Sequence, residues 1–252
     1  MRFQLFVFLL FVCSLIAAQV NTEKYRTNES VSGLGGYFEI SGTIKSGNAE
    51  KTEGNLEGRL DWRAGSNTTF FIFDSEHEWV DGKRLSNEGL FHIRNVTVLN
   101  KEFKLEVYGQ INYDKKILVD NRELAGAGFR FKIFDIEQND ISLGTSYMFE
   151  HENYKLPKNS IHPKEVNVSR WSSYIAMHFK LEENITFTSV AYYQPMFTEF
   201  VDYRLLNESS INISLSKLLS LNFNYRIRFD SKPPDGVKNT DTNTNFGIGI
   251  KF

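Results

Sequence analysis

The sequence predicts an all-β fold: a transmembrane antiparallel up-and-down β-barrel of about twelve strands, with short periplasmic turns and longer extracellular loops. Three observations predict it. Apolar and polar residues alternate with a period of two along most of the chain, the connections between these segments are short and long in turn, and the last residues form one more alternating segment ending on Phe252.

The N-terminus departs from this pattern. Arg2 precedes an almost unbroken apolar run from Phe3 to Ala18, which ends in Ile16-Ala17-Ala18 before Gln19. The run falls short of the ~20 residues that a spanning helix needs, so it reads as a secretory signal peptide, residues 1–18, cleaved after Ala18. The alternative is a short uncleaved anchor. Cys13, the single cysteine, lies inside this segment, and Val12 before it is not the small residue of a lipoprotein site. A mature chain without a thiol excludes disulfides, cysteine–zinc sites and a cysteine nucleophile together. Residues 19–33 are polar and read as a flexible periplasmic lead-in, leaving 34–252 for the barrel.

The strands follow in order. Leu56, Leu60 and Trp62 alternate with Asn55, Glu57, Arg59, Asp61 and Arg63. Phe103, Leu105, Val107 and Ile111 alternate with Lys104, Glu106, Tyr108 and Gln110. Ala127, Phe129, Phe131 and Ile133 alternate with Gly126, Gly128, Arg130 and Lys132. Trp171, Ile175, Met177, Phe179 and Leu181 alternate with Arg170, Ser172, Tyr174, His178 and Lys180. The clearest segment sets Leu219, Leu221, Phe223, Tyr225, Ile227 and Phe229 against Ser220, Asn222, Asn224, Arg226 and Arg228. Neighbouring residues of a strand point to opposite faces, so each segment has one apolar and one polar face, whereas a helix would mix the two sets. Phe70–Phe73 and Ile93–Val98 leave the parity open, and a bulge would account for the second. Short connections are expected at Ala64–Asn67, Asn100–Glu102, Asp135–Asp140, Glu182–Asn184 and Ser216–Leu218. Long ones are expected at Ser46–Thr52, Val80–Asn87, Asp114–Asp120, His151–Asn167, Gln194–Asp202 and Asp230–Thr240.

A soluble sandwich or lipocalin-like barrel would alternate too, with its apolar face inward. Two features weigh against it: large residues crowd the apolar face on nearly every strand, and the chain ends on Phe246, Ile248, Ile250 and Phe252 at every second position. In an outer-membrane barrel such a terminal strand is the assembly signal read by the barrel-assembly machinery.

The segments GTIKSGNAEKTEGNLEGRLDWR at 42–63, NRELAGAGFRFKIFD at 121–135, YYQPMFTEFVDYRL at 192–205, and DSKPPDGV with NFGIGIKF over 230–252 resemble a salt-induced outer-membrane protein family, a domain-of-unknown-function group (DUF481). The resemblance covers nearly the whole mature chain. It implies an outer-membrane barrel of a Gram-negative-type bacterium and supplies the association with salt, but it carries over no catalytic or binding residue. The Pro233-Pro234-Asp235-Gly236 loop and Gln194-Pro195 look like members from Bacteroidetes-like bacteria.

If the apolar rows meet lipid, the polar rows line a lumen. Glu39, Glu57, Asp61, Asp74, Glu76, Glu78 and Glu106 would form an acidic wall on the first five strands, with Lys45, Arg59, Arg63 and Lys104 among them. Arg130, Lys132, Arg170, Lys180, Arg204, Arg226, Arg228 and Lys251 would form a basic wall on the rest, with fewer acids such as Glu150 and Glu208. Two readings stand. Either a field runs across a narrow channel and orients charged solutes, or the charges pair across the interior and plug it.

A second candidate is chemical. Ser75 and His77, two apart on one strand face, could join Asn87 or Asn95 in a lipid hydrolase at the outer surface. The acids alternating with them are also what an ordinary strand end carries, and the histidine-before-serine order of known barrel lipases is reversed. His92, His151, His162 and His178 lack metal-ligand spacing. Gly126 and Gly128 read as strand curvature or room for a bulky neighbour. Asn-x-Ser/Thr sequons at Asn28, Asn67, Asn95, Asn167, Asn184, Asn207 and Asn212 read as products of composition. Trp62, Trp79, Tyr113, Tyr147, Trp171, Tyr193 and Phe229 read as interfacial girdles.

With a net charge of −2, no nucleic-acid partner is implied, and no cofactor or metal is expected. The expected partners are outer-membrane lipid, the assembly machinery, and small ions or solutes. The leading functional expectation is a narrow passive channel or envelope and salt-stress barrel in the outer membrane. The alternative is a structural barrel, or one that binds through its loops, especially His151–Asn167, without conducting. The remote alternative is the lipid hydrolase.

Overall fold

A computed structural model describes residues 32–46 and 50–251. The predicted signal peptide, nearly all of the lead-in and Phe252 lie outside the described residues. Twelve strands are described: β1 (Gly33–Lys45), β2 (Lys51–Ala64), β3 (Asn67–Val80), β4 (Lys83–Val98), β5 (Phe103–Asp114), β6 (Val119–Ile136), β7 (Asn139–Tyr154), β8 (Glu165–Glu182), β9 (Ile185–Met196), β10 (Glu199–Ser214), β11 (Leu219–Asp230) and β12 (Thr240–Lys251). Each pairs antiparallel with its neighbours in sequence, and β1 pairs with β12 to close the barrel. The closing seam joins Tyr37–Ser41 to Gly247–Lys251.

Closure removes every sheet edge and leaves two surfaces. The apolar rows are outside. Ile40, Trp62, Phe246 and Ile248 are 57–71% exposed, and Leu56, Phe91, Ile93, Val107, Ile111, Phe129, Leu143, Phe149, Leu221 and Phe223 are exposed with them. Glu39, Glu57, Asp61, His92, Arg94, Glu106, Glu150 and Arg170 are buried. Such a distribution inverts that of a soluble domain and suits a barrel whose solvent is hydrocarbon.

Both ambiguous stretches have a definite parity. Phe70 and Ile72 point inward and are buried, while Phe71 and Phe73 lie on the other face. On β4, His92 and Arg94 are interior and Phe91 and Ile93 exterior. No bulge is needed there, because the β4–β5 register is continuous from Glu88 to Val98. The irregularity lies higher, opposite Glu78 and Trp79.

Interior glycines are seats for aromatic rings. A Cβ on Gly144 would stand 2.0 Å from the Tyr174 ring, one on Gly126 would stand 2.4 Å from the Tyr108 ring, and one on Gly249 would meet the Tyr37 hydroxyl. Tyr108 and Tyr174 sit directly opposite their glycines in register. Ring-over-glycine packing fills the interior and pins the register.

The connections differ from expectation at the loop end. Strands β3 and β4 are joined by Asp81-Gly82 alone, both at positive φ (48° and 71°), the Asp-Gly pair that a type I′ hairpin demands. Residues 197–198 suffice between β9 and β10, and 115–118 between β5 and β6. The predicted loops Val80–Asn87 and Gln194–Asp202 are thus mostly strand, and Asp114–Asp120 shrinks to the connection 115–118. Only 155–164 and 231–239, with the β1–β2 connection, remain longer than the turns at the opposite end. The short-and-long alternation is therefore weaker than the sequence suggested.

Candidate functional site: the charged interior

We call the end that holds Gly33 and Lys251 the terminal end and the other the loop end. Near the loop end, Glu150 on β7 is fully buried and gathers three guanidinium groups from different strands. Arg122 on β6 donates from Nε at 2.8 Å and also from Nη2. Arg170 on β8 donates at 3.1 Å, and Arg204 on β10 at 2.7 Å. The same arginines reach further carboxylates: Arg204 bonds Glu152 and Asp230, both at 2.8 Å, and Arg170 bonds Asp202 at 2.9 Å. Tyr154 donates to Glu152 at 2.8 Å. Carboxylates bridged by several arginines satisfy their lone pairs where water is excluded.

A second node crosses the lumen. Arg226 on β11 donates to Glu208 beside it at 2.6 Å and to Asp74 on β3 at 3.0 Å. It also lies 3.4 Å from Glu88 and 3.8 Å from Glu57. Arg228 holds Asp114 at 2.8 Å. Toward the terminal end, Arg94 bonds Glu106 at 2.9 Å, and the Tyr174 hydroxyl donates to the same carboxylate at 2.8 Å. Arg94 also lies over the Tyr108 ring, and Arg59 over Phe70, with centroid distances of 4.6 and 4.0 Å. Arg59 holds Asp61 through a fork of 2.7–3.1 Å.

The strands thus place the predicted residues on the interior face, but not as two facing walls. Glu150 and Glu152 sit inside the basic half, Arg59, Arg63 and Arg94 sit inside the acidic half, and Arg226 bridges the two. Charge is sorted along the axis instead. Near the terminal end, Arg63, Arg59, Arg94, Lys104, Arg130, Lys132, Lys180 and Lys251 outnumber the acids beside them, Glu39, Asp61, Glu106, Asp135 and Asp140. Near the loop end the acids predominate, with Glu57, Asp74, Glu76, Glu78, Glu88, Asp114, Glu152, Asp230 and Asp241 among them. Most acidic-wall members are buried and Asp74 is half-buried; of the basic wall, Arg130, Arg170 and Arg204 are buried, Lys132, Lys180, Arg226 and Arg228 half-buried, and Lys251 exposed at the terminal mouth.

Connections at the loop end close over this network. Asp235 in 231–239 accepts from the Ser160 hydroxyl at 2.6 Å and from the amides of Ile161 and His162 at 2.5 and 2.9 Å, all in 155–164. The Ser160 hydroxyl, then the two amides, hold the Asp235 carboxyl below the usual aspartate range. Burial opposes the charge of Lys116 in the β5–β6 connection, yet its bond to Glu76 keeps its pKa raised.

Arg122, Glu152, Glu88 and Arg94 escaped the sequence reading. Arg94 lay in the stretch of open parity, whereas Tyr108 and Tyr174 were placed on the polar rows but given no role there. The Ser75 hydroxyl and His77 Nε2 are 3.3 Å apart on the exterior of β3. Asn87 stands opposite His77, but its Oδ1 accepts from the Tyr113 hydroxyl. Asn95 is far down the strand, bonded to Thr69, so it is not part of this pair. Of the predicted girdle aromatics, Trp62 lies near the terminal end of β2, while Trp79, Tyr113, Trp171, Tyr193 and Phe229 lie toward the loop end, where Trp171 and Tyr147 both pack on Phe197, with centroids 6.2 and 5.5 Å away.

The family model for a protein of unknown function, DUF481, matches residues 38–252. The chain belongs to the DUF481 family. No curated protein matches it in sequence. Among solved structures, this DUF481 barrel is similar to the NanC porin, with a TM-score of 0.51 and 9% identity over 86% of this chain and 98% of that one. Two others are the KdgM porin, with a TM-score of 0.45 and 11% identity over 87% and 98% of the two chains, and the translocator domain of the autotransporter NalP from Neisseria meningitidis, with a TM-score of 0.42 and 10% identity over 92% of each. The NanC likeness shows the fold alone: a porin-type barrel.

Proposed function

We propose that this DUF481 protein is a non-enzymatic outer-membrane barrel that acts as a narrow passive channel, closed at rest by ion pairs across its lumen. The observation that carries this reading is the linked network of Glu150, Arg122, Arg170, Arg204 and Glu152, followed by the Arg226 node. These layers separate a small pocket of about 50 Å³ beneath the outer loops from a cavity of about 410 Å³ near the terminal end. The outward apolar rows support contact with outer-membrane lipid, which puts the terminal end at the periplasm. The exposed row Phe246, Ile248 and Ile250 on β12 suits recognition by the assembly machinery. Cleavage of residues 1–18 belongs to the same reading.

The association with salt has a physical route. Pairs at the loop end such as Arg228–Asp241 and Lys232–Glu199 are solvent-exposed and weaken as salt rises, whereas the buried node is screened far less. Planar-bilayer recording of the purified protein tests the reading. Rare, small openings are expected, becoming more frequent in Arg204→Ala. Large steady openings in the wild type, or silence in both proteins, would overturn it.

A further inference from the structure

We infer that the periplasmic cavity is a binding site for a small, hydroxyl-rich organic anion that enters from the terminal end. The cavity holds about 410 Å³, within the ~300–1,000 Å³ of small-molecule sites. Its lining comes from β1 and β8 to β12, at the level where the strands leave the ion-paired layers.

The chemistry of this lining differs from the rest of the interior. Thr186, Thr188, Ser210, Ser214 and Asn212 present hydroxyl and amide groups, and no aspartate or glutamate is among the lining residues. The cations there are Lys217, in the β10–β11 turn, and Lys251, on β12; neither is in an ion pair among the described residues. Three interior carboxylates on neighbouring rows are engaged elsewhere. Glu39 accepts from Asn224 at 2.6 Å, Asp140 lies 3.9 Å from Arg130, and Glu208 is held by Arg226.

Part of the wall is organised in advance of any ligand. The Tyr37 hydroxyl bonds Ser220 at 2.8 Å and receives Asn222 Nδ2 at 2.6 Å, while Thr188 and Ser210 share a bond of 2.8 Å. Hydroxyls and amides in fixed positions exchange hydrogen bonds with a polyol at little ordering cost. Two lysines at the mouth, with no lining carboxylate to oppose them, add attraction for one negative charge. A neutral sugar would use only the first set of contacts, a simple carboxylate only the second, and a cation neither.

The inference rests on the closed-channel reading for its direction of entry alone, and binding is measured separately from conductance. The test is calorimetric titration of the detergent-solubilised, folded barrel with gluconate, sorbitol and acetate. Gluconate is expected to bind at least ~10-fold more tightly than either of the others, and Lys217→Gln/Lys251→Gln is expected to reduce its affinity ~10-fold. Both lysines are exposed, so the fold is not at risk. Ser214→Phe, which fills the cavity, is expected to abolish binding. No gluconate binding, equal affinity for sorbitol, or unchanged affinity in either variant would overturn the inference. Failure here with gated conductance intact refutes the site alone; the converse refutes the channel alone.

Discussion

Replacing Glu150 by Gln is the sharpest perturbation of the interior. The change keeps shape and one acceptor oxygen but removes a fully buried charge and turns an amide donor toward three guanidinium groups. Breaking a buried ion pair from one side costs ~3–5 kcal/mol, because the remaining charge is stranded. Here the stranding is partial. Arg170 keeps Asp202 at 2.9 Å, Arg204 keeps Glu152 and Asp230, each at 2.8 Å, and Arg122 keeps Glu152 at 3.4 Å. The expected loss therefore lies at the lower bound, ~3 kcal/mol, or roughly a hundredfold in the unfolding equilibrium. The assay is reversible urea unfolding in lipid vesicles, followed by tryptophan fluorescence. Glu150→Gln/Arg122→Gln should recover part of the loss, since the double change removes one stranded cation. A loss below ~1 kcal/mol, as for exposed pairs, with channel opening unchanged, would show that water enters the cluster and that it neither supports nor closes the barrel.

Three further outcomes follow from other parts of the molecule. Gly144→Val should cost ~1–3 kcal/mol by overpacking, measured by the same unfolding assay, because the Tyr174 ring that its Cβ would meet at 2.0 Å is anchored by Glu106; a smaller cost would mean that the ring can swing away. Ile93→Arg, on the outward face of β4, should cost ~2–4 kcal/mol in vesicles if that row lies near the midplane of the bilayer, and a neutral result would deny lipid contact there. Asp235→Ala should speed hydrogen exchange at the Ile161 and His162 amides without moving global stability. In the wild type the contribution of Asp235 is present above the ordinary aspartate pKa and is lost only as pH falls through the lowered folded value, so these amides should stay protected through pH 4–5; release there would refute the latch.

The barrel was legible because alternation is a property of single strands. Leu219 to Phe229 against Ser220 to Arg228 needs no partner to show two faces, and once one face is apolar on every strand the wall follows. The site was legible only as a set of inward residues. Which carboxylate meets which guanidinium depends on stagger between strands far apart in sequence: Arg226 reaches Asp74 and Glu88 across the barrel, and strand parity says nothing about that crossing. The same stagger converts the expected transverse field into an axial one. Loop lengths misled for another reason. Polar residues within Lys83–Asn87 and Glu199–Asp202 look like loop, yet they extend strand pairs right up to the two-residue connections 81–82 and 197–198.

Sorting of charge from one mouth to the other also gives the barrel a polarity that an ion would feel. A conduit that is negative at its outer entrance and positive at its inner one presents unequal slopes to traffic in the two directions. When the central pairs part, current through it should rectify, with the sign of the applied voltage deciding how readily it flows. On the proposed reading, the residues that close the channel would then make it a diode when open.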